Sequence, residues 1–176
     1  MRIVGGIFKG RKLFEFKGYA VRPTSDMTRE SLFNILNTKI ANKSFLDLFC
    51  GTGAVGLEAL SRGARKVTLN DVDKESVLLT RKNAEKLGAD VTISKMDALA
   101  FISYTSEKYD FIFIDAPYQD QVGVDALNKV HEILADGGIV IFENEYKFTD
   151  NAEGLTLYDN RKYGRAHLAF FRRNEE

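Results

Sequence analysis

Four residues, Asp115-Ala116-Pro117-Tyr118, directly follow the apolar run Phe111-Ile112-Phe113-Ile114. A buried strand ending in this order sets a carboxylate, a backbone carbonyl and a flat ring together at the mouth of a sheet. An ionised carboxylate and a carbonyl both accept hydrogen bonds. They suit the two N–H hydrogens of an exocyclic amino group while the ring lies against the base that carries it. The same tetrapeptide also fits an ordinary strand-to-loop turn, which Asp opens and Pro shapes. A glycine-rich site upstream favours the chemical reading.

That site is Asp47-Leu48-Phe49-Cys50-Gly51-Thr52-Gly53-Ala54-Val55-Gly56, placed after one apolar strand and opening a helix. Gly51 and Gly53 let the backbone approach a ligand with no Cβ in the way. The helix start behind them offers free N–H groups to a carboxylate or phosphate. Asp71, 20 residues beyond Gly51, stands where an acid grips ribose hydroxyls. This pattern serves a dinucleotide or S-adenosylmethionine equally, and a tight turn with no ligand is the bland alternative. Asp47 favours the second cofactor, because it attracts the ammonium of a methionine moiety and repels a pyrophosphate. Asp97-Ala98, after the third strand, could offer a carboxylate to adenine N6 and a backbone N–H to N1. Nothing in the chain completes a hydride-transfer site.

Alternating elements position these groups. A helix is expected from Ser25 or Asp26 to about Thr38, with Met27, Ser31, Leu32, Ile35 and Leu36 on one face and Ser25 or Asp26 as cap. Strands are expected at Phe45–Phe49, Val67–Asn70, Val91–Ser94, Tyr109–Ile114 and Ile139–Glu143. Helices are expected near Ala54–Arg62, Lys74–Leu87, Leu99–Thr105 and Val124–Leu134. Such alternation argues for a parallel sheet with helices on both faces. Asp136-Gly137-Gly138 reads as a break before the fifth strand. Two last strands, Leu155–Asn160 and Ala166–Arg172, joined through Arg161–Arg165, complete a sheet of about seven strands with a terminal antiparallel hairpin. Residues 1–24 read as a basic hairpin-like extension of short strands, and residues 25–176 as one globular unit.

The 176 residues suffice for one core, and 44% apolar with 28% charged residues is ordinary for a globular protein. A single cysteine, Cys50, excludes an internal disulfide and points to the cytoplasm. His131 and His167 form no metal-like cluster with it, so no metal is expected. No leader-like or membrane-length apolar run appears. Zero net charge hides an asymmetry: residues 1–29 hold seven basic side chains against Glu15 and Asp26. Lys9, Arg11, Lys12 and Arg22 in that arm are candidate contacts to a polyanion, with a merely solvated face as the alternative. Loops such as Tyr118–Gly123 and the last hairpin, with Arg161, Lys162 and Arg165, are the other surfaces free for recognition.

With these motifs in place, the chain resembles the small bacterial 16S ribosomal RNA guanine-N2 methyltransferases that act on guanine 966. The resemblance covers essentially the whole chain. It runs through Met1–Gly6 with Gly10–Leu13, Arg22-Pro23-Thr24-Ser25-Asp26 with Arg29-Glu30, Leu46–Phe49 with Gly51-Thr52-Gly53, Gly56–Ala64, and Tyr163-Gly164. It implies a Rossmann-like methyltransferase fold, S-adenosylmethionine as donor with S-adenosylhomocysteine as product, and guanine N2 as acceptor. A partly assembled small ribosomal subunit is the implied partner, with no obligate protein partner. It also sets Thr24 and Arg29 at the border of the cofactor or substrate pocket, with an ion pair to an acid as the alternative for Arg29. The family usually has Asp-Pro-Pro before the aromatic, whereas Ala116 stands here at the first proline. The carbonyl survives this change, and the lost rigidity is worth ~0.4–1 kcal/mol.

Three rival readings stand beside this one. A DNA adenine-N6 methyltransferase would use the same amino-group grip, but no chain remains for a target-recognition domain. A protein glutamine-N5 methyltransferase usually begins its grip with Asn. A non-catalytic cofactor-binding assembly factor would leave the acids at 47, 71, 97 and 115 without purpose.

Overall fold

The computed structural model describes residues 1–18, 24–117 and 120–174. Arg22, Pro23 and Tyr118, singled out above, lie outside them. Seven strands form one sheet: β1 (Ser44–Asp47), β2 (Lys66–Asn70), β3 (Thr92–Ser94), β4 (Tyr109–Ile114), β5 (Leu134–Asn144), β6 (Leu155–Tyr163) and β7 (Ala166–Arg173). Their order is β3-β2-β1-β4-β5-β7-β6. The first five are parallel, and β7 runs antiparallel to both β5 and β6. The helices are α1 (Asp26–Leu36), α2 (Ala54–Ser61), α3 (Lys74–Leu87), α4 (Ala98–Tyr104) and α5 (Val122–Leu127).

The period-2 alternation of the strands divides the core in two. Phe45, Phe111, Phe113 and Phe170 pack on one face with Phe33 of α1 and Leu57 of α2. Leu46, Ile112, Ile114 and Phe171 pack on the other with Phe101 of α4 and Leu127 of α5. Helix starts follow local chemistry. Ser25 accepts from the Thr28 amide, Asp73 from Ser76 and Asp97 from Ala100, each capping its helix.

Three expectations need correction. The Asp136-Gly137-Gly138 break lies inside β5, where the ladder to β4 absorbs it as a register shift between Tyr109 and Phe111. The helix expected over Val124–Leu134 stops at Leu127; a 3₁₀ turn, Val130–Ile133, follows, and Leu134 joins β5. Among the described residues the N-terminal arm forms one antiparallel bridge, Arg2 to Lys12, flanked by bonds from the Ile3 and Leu13 amides to Arg11 and Met1, rather than extended strands.

Helix side chains satisfy the arm instead. The Phe8 amide donates to Ser61 Oγ at 2.9 Å, and the Ile7 amide to the Ser61 carbonyl at 2.8 Å. Gly6 passes so close that a Cβ would sit 1.8 Å from the Ser61 carbonyl oxygen, a contact only glycine allows. Asn83 of α3 pairs with both the amide and the carbonyl of Phe14. Ile3, 1% exposed, and Leu13 join the core of α1 and α2. No helix among the described residues is long and apolar enough to cross a membrane.

Candidate active site

Parallel strands deliver their last residues to one rim, and here those residues are acids. Asp47 ends β1, Asp71 follows β2, Asp115 follows β4, and Glu143 lies next to the last residue of β5. Ile114 is paired with Phe142, so Asp115 and Glu143 are neighbours across the ladder.

Asp47 is 1% exposed. Its Oδ2 accepts from the Gly56 amide at 3.1 Å, whereas its buried Oδ1 has no partner among the described residues. Gly56 holds this geometry because a Cβ there would meet Leu69 Cδ2 at 2.0 Å, so α2 lies hard on β2. Burial, with the charges of Asp71 and Glu143 adding to it, pushes the Asp47 carboxyl up to about 7, outweighing the Gly56 amide. A buried, unsatisfied carboxylate oxygen facing a cavity is a place for a cation with N–H donors.

Asp71 braces the glycine loop: Oδ2 accepts from the Gly51 amide at 2.9 Å and Oδ1 from Asp73 at 3.0 Å. Exposed Asp97 caps α4 through Oδ2, 3.1 Å from the Ala100 amide, and the neighbouring Ala98 is buried. Thr24 joins the two rim acids at the centre. Its Oγ1 lies 3.2 Å from Asp115 Oδ2 and 3.1 Å from Glu143 Oε2. One hydroxyl has one hydrogen to give, so Thr24 donates to one of the two acids at a time. Burial first, and the Glu143 charge second, hold the Asp115 carboxyl well above the usual carboxylate range despite the Thr24 bond.

A cavity of about 60 Å³ joins Thr24, Asp47, Gly51 and Asp115, with Phe16 and Val55 also in its walls; Asp71, Asp97, Ala98 and Glu143 do not line it. Ala116 is buried against Gly123, where an added Cβ would come within 2.8 Å of the Ala116 Cβ, and Pro117 is exposed. Arg29 is elsewhere. Fully buried, it donates from Nη1 to Glu58 at 3.0 Å and pairs with Asp26 through Nη2, so it takes the ion-pair alternative. Lys9, Arg11 and Lys12 are exposed, and Arg11 Nη2 donates to the Lys86 carbonyl at 2.6 Å.

Sequence reading missed Glu143, Phe16 and Glu58. Glu143 had a visible signal: it follows Ile139–Phe142 as Asp115 follows Phe111–Ile114. Phe16 and Glu58 had none, because their roles depend on how the arm docks.

A sheet of this order, with an acid and a Gly-x-Gly turn closing its first strand, is the Rossmann-like fold of S-adenosylmethionine-dependent methyltransferases. The family model described as "Conserved hypothetical protein 95" matches residues 1–172, and the chain belongs to that family. The chain is 34% identical over 148 residues to "Ribosomal RNA small subunit methyltransferase D" of Escherichia coli strain K12, covering 82% of this chain and 75% of that protein. The protein of the same name from Buchnera aphidicola (strain APS) is 41% identical over 119 residues, covering 66% of this chain and 62% of the relative. The solved structure of yhhF from Escherichia coli, 30% identical, superposes with a TM-score of 0.88 and covers 100% of this chain and 99% of that one. The resemblance read from the sequence is borne out.

Proposed function

We propose that the protein transfers a methyl group from S-adenosylmethionine to the exocyclic N2 of a guanine in 16S ribosomal RNA, within a partly assembled small subunit. The observation that carries this reading is the Asp115–Thr24–Glu143 cluster beside the unsatisfied Oδ1 of Asp47. Two relatives of this chain carry names that specify small-subunit ribosomal RNA. The address at guanine 966 follows from the family resemblance.

The residues present fit the cofactor. Asp47 Oδ1 suits the ammonium, the Gly51–Gly53 loop suits the methionine backbone, and Asp71, Asp97 and Ala98 suit the ribose and adenine. When bound, the cofactor supplies an electrophilic methyl. The remaining difficulty is the guanine N2 lone pair, which is delocalised into the ring. Asp115 and the Ala116 carbonyl accept the two N–H hydrogens and turn that lone pair toward the methyl. As the nitrogen is methylated, the Asp115 carboxylate would take the N2 proton, the cofactor leaving as its thioether, S-adenosylhomocysteine. Thr24, in contact with both acids, can relay that proton toward Glu143. Tyr118, by its place in the motif, stacks on a base that has left its helix.

The deciding experiment offers labelled S-adenosylmethionine and three acceptors to the pure protein. These are small subunits from a strain lacking the matching enzyme, protein-free 16S RNA and duplex DNA. N2-methylguanosine on either RNA substrate is expected. Methyladenine in DNA, or no transfer at all, would overturn the reading.

The Asp47 grip has its own test. Below about 7 the carboxyl is protonated, and an ammonium favours the anion, so binding should expel a proton. S-adenosylhomocysteine affinity should weaken by up to ~10-fold per pH unit below that value and level off above it. Asp47→Asn should flatten this dependence. Calorimetry in buffers of different ionisation enthalpy reads the proton directly, and pH-independent binding without proton release would remove Asp47 from the grip.

A further inference from the structure

Strand register fixes which surface stands nearest the catalytic rim. Ile114, the last residue of β4, is level with Phe142, Ala169 and Asn160 on β5, β7 and β6. From that level β6 continues through Arg161, Lys162 and Tyr163, and β7 descends from Ala166 through His167 and Leu168. At ~3.4 Å per residue the hairpin rises ~10 Å above the end of β4, and at ~4.8 Å per strand β7 stands only ~10 Å to its side. The Gly164-Arg165 turn crowns this wall. Strand β5 ends at Asn144, level with His167 of this wall, and in the chain that follows Tyr146 is 72% exposed and Lys147 is exposed beside it.

The wall is positively charged. Exposed Lys162, Arg165 and Lys147 have no acid partner among the described residues, whereas Arg161 is held by Asp159 at 3.0 Å. Glu145, Asp150 and Glu153 are the exposed acids in the segment that joins β5 to β6, outside the hairpin itself.

The tip of the basic arm points to the other end of the domain, although Phe16, further along the arm, walls the cavity. Ile7 is bonded to Ser61, the last residue of α2, and Arg11 to Lys86, in the last turn of α3. Helix α2 starts at the glycine loop and carries its end ~12 Å away, and α3 runs ~21 Å in the same sense. The tip around Lys9 and Arg11 is therefore remote from Asp115.

We propose that the β6–β7 hairpin, through Lys162 and Arg165 and with Tyr146 and Lys147 of the segment leaving β5 beside it, is the wall that seats the RNA strand flanking the target base. This rests on the RNA methyltransferase reading. The cations take backbone phosphates, which position the strand without reading its sequence, and the exposed ring offers a stacking face to a neighbouring base. Single-stranded RNA suits this surface because its charge and bases are both open to a narrow, upright ribbon.

The test compares Lys162→Ala/Arg165→Ala with Lys9→Ala/Lys12→Ala, which loses the same charge. Binding of protein-free 16S RNA is measured across a salt series, with S-adenosylhomocysteine affinity and thermal unfolding as controls for folding. The hairpin variant should bind RNA ~10-fold or more weakly and lose about one to two units of salt slope, with both controls unchanged. The arm variant should lose much less. Equal losses in the two variants, or an unchanged hairpin variant, overturn the proposal. So does a hairpin defect confined to whole subunits, which would assign the wall to a ribosomal protein. Hairpin-dependent RNA binding without methyl transfer would keep the wall and remove the catalytic reading. Transfer with hairpin-independent binding would do the reverse.

Discussion

Asp115→Asn should lower methyl transfer to RNA by ~10²-fold or more while S-adenosylhomocysteine affinity stays within a few fold. The amide keeps the size of the side chain and can still accept one hydrogen bond, but it cannot take the N2 proton. Single-turnover transfer isolates the chemical step from RNA binding. The pH profile of the unaltered protein supplies the sign. Burial and Glu143 raise the Asp115 carboxyl, so its ionised fraction grows as pH rises. The rate should therefore climb with pH and reach a plateau once Asp115 is ionised. The asparagine variant should lack that limb. Near-normal turnover in the variant, or a wild-type rate that falls with rising pH, would remove Asp115 as proton acceptor.

Much of the site was legible because its residues mark the ends of strands. Tyr109–Ile114 was read to the residue, and its end located Asp115. The spacing of Gly51 and Asp71 suggested a ribose grip; the structure shows that acid bonded to the Gly51 amide at the rim. What escaped was set by pairing across elements. Glu143 matters because β5 lies beside β4 in one particular register, and no single segment states a register. Thr24 was set at the pocket border by the resemblance alone; it sits on no strand, and its bridge between two acids 91 and 119 residues away had no signal in the spacing. The arm misled for a physical reason. Its glycine-punctuated residues, among those described, pair across the arm only through the Ile3, Gly10 and Leu13 amides, while the amides of Val4, Gly5, Phe8 and Phe14 go to Glu58, Ser61 and Asn83, side chains of two helices. Asp136-Gly137-Gly138 looked like a stop, yet flanking pairs to β4 carry the strand past it. Glycine marks a bend, and the neighbouring strand decides whether the bend ends pairing.

Glu58→Gln should be the most damaging single change to stability. Glu58 is fully buried and its two oxygens receive four donors: the amides of Val4 at 2.8 Å and Gly5 at 2.9 Å, Arg29 Nη1 at 3.0 Å and Arg62 Nε at 2.9 Å. Glutamine keeps the shape but replaces one acceptor by an NH₂ aimed at donors. Arg29, 0% exposed and with Nε already lacking a partner among the described residues, then keeps its charge with only Asp26 opposite. Breaking a buried pair from one side costs ~3–5 kcal/mol, a large part of the ~5–15 kcal/mol that holds a domain together. A fall of about 10 °C in Tm is expected at this chain length. The exposed pair Lys66–Glu107, at 2.6 Å, is the comparison: Lys66→Ala should cost under ~1 kcal/mol. Glu58 also anchors Val4 and Gly5, and with them the arm whose Phe16 walls the cavity. Limited proteolysis should therefore cut the Glu58→Gln arm first, before the sheet opens. A Tm within a degree or two of the parent, with the arm still resistant, would show that this buried carboxylate stabilises neither.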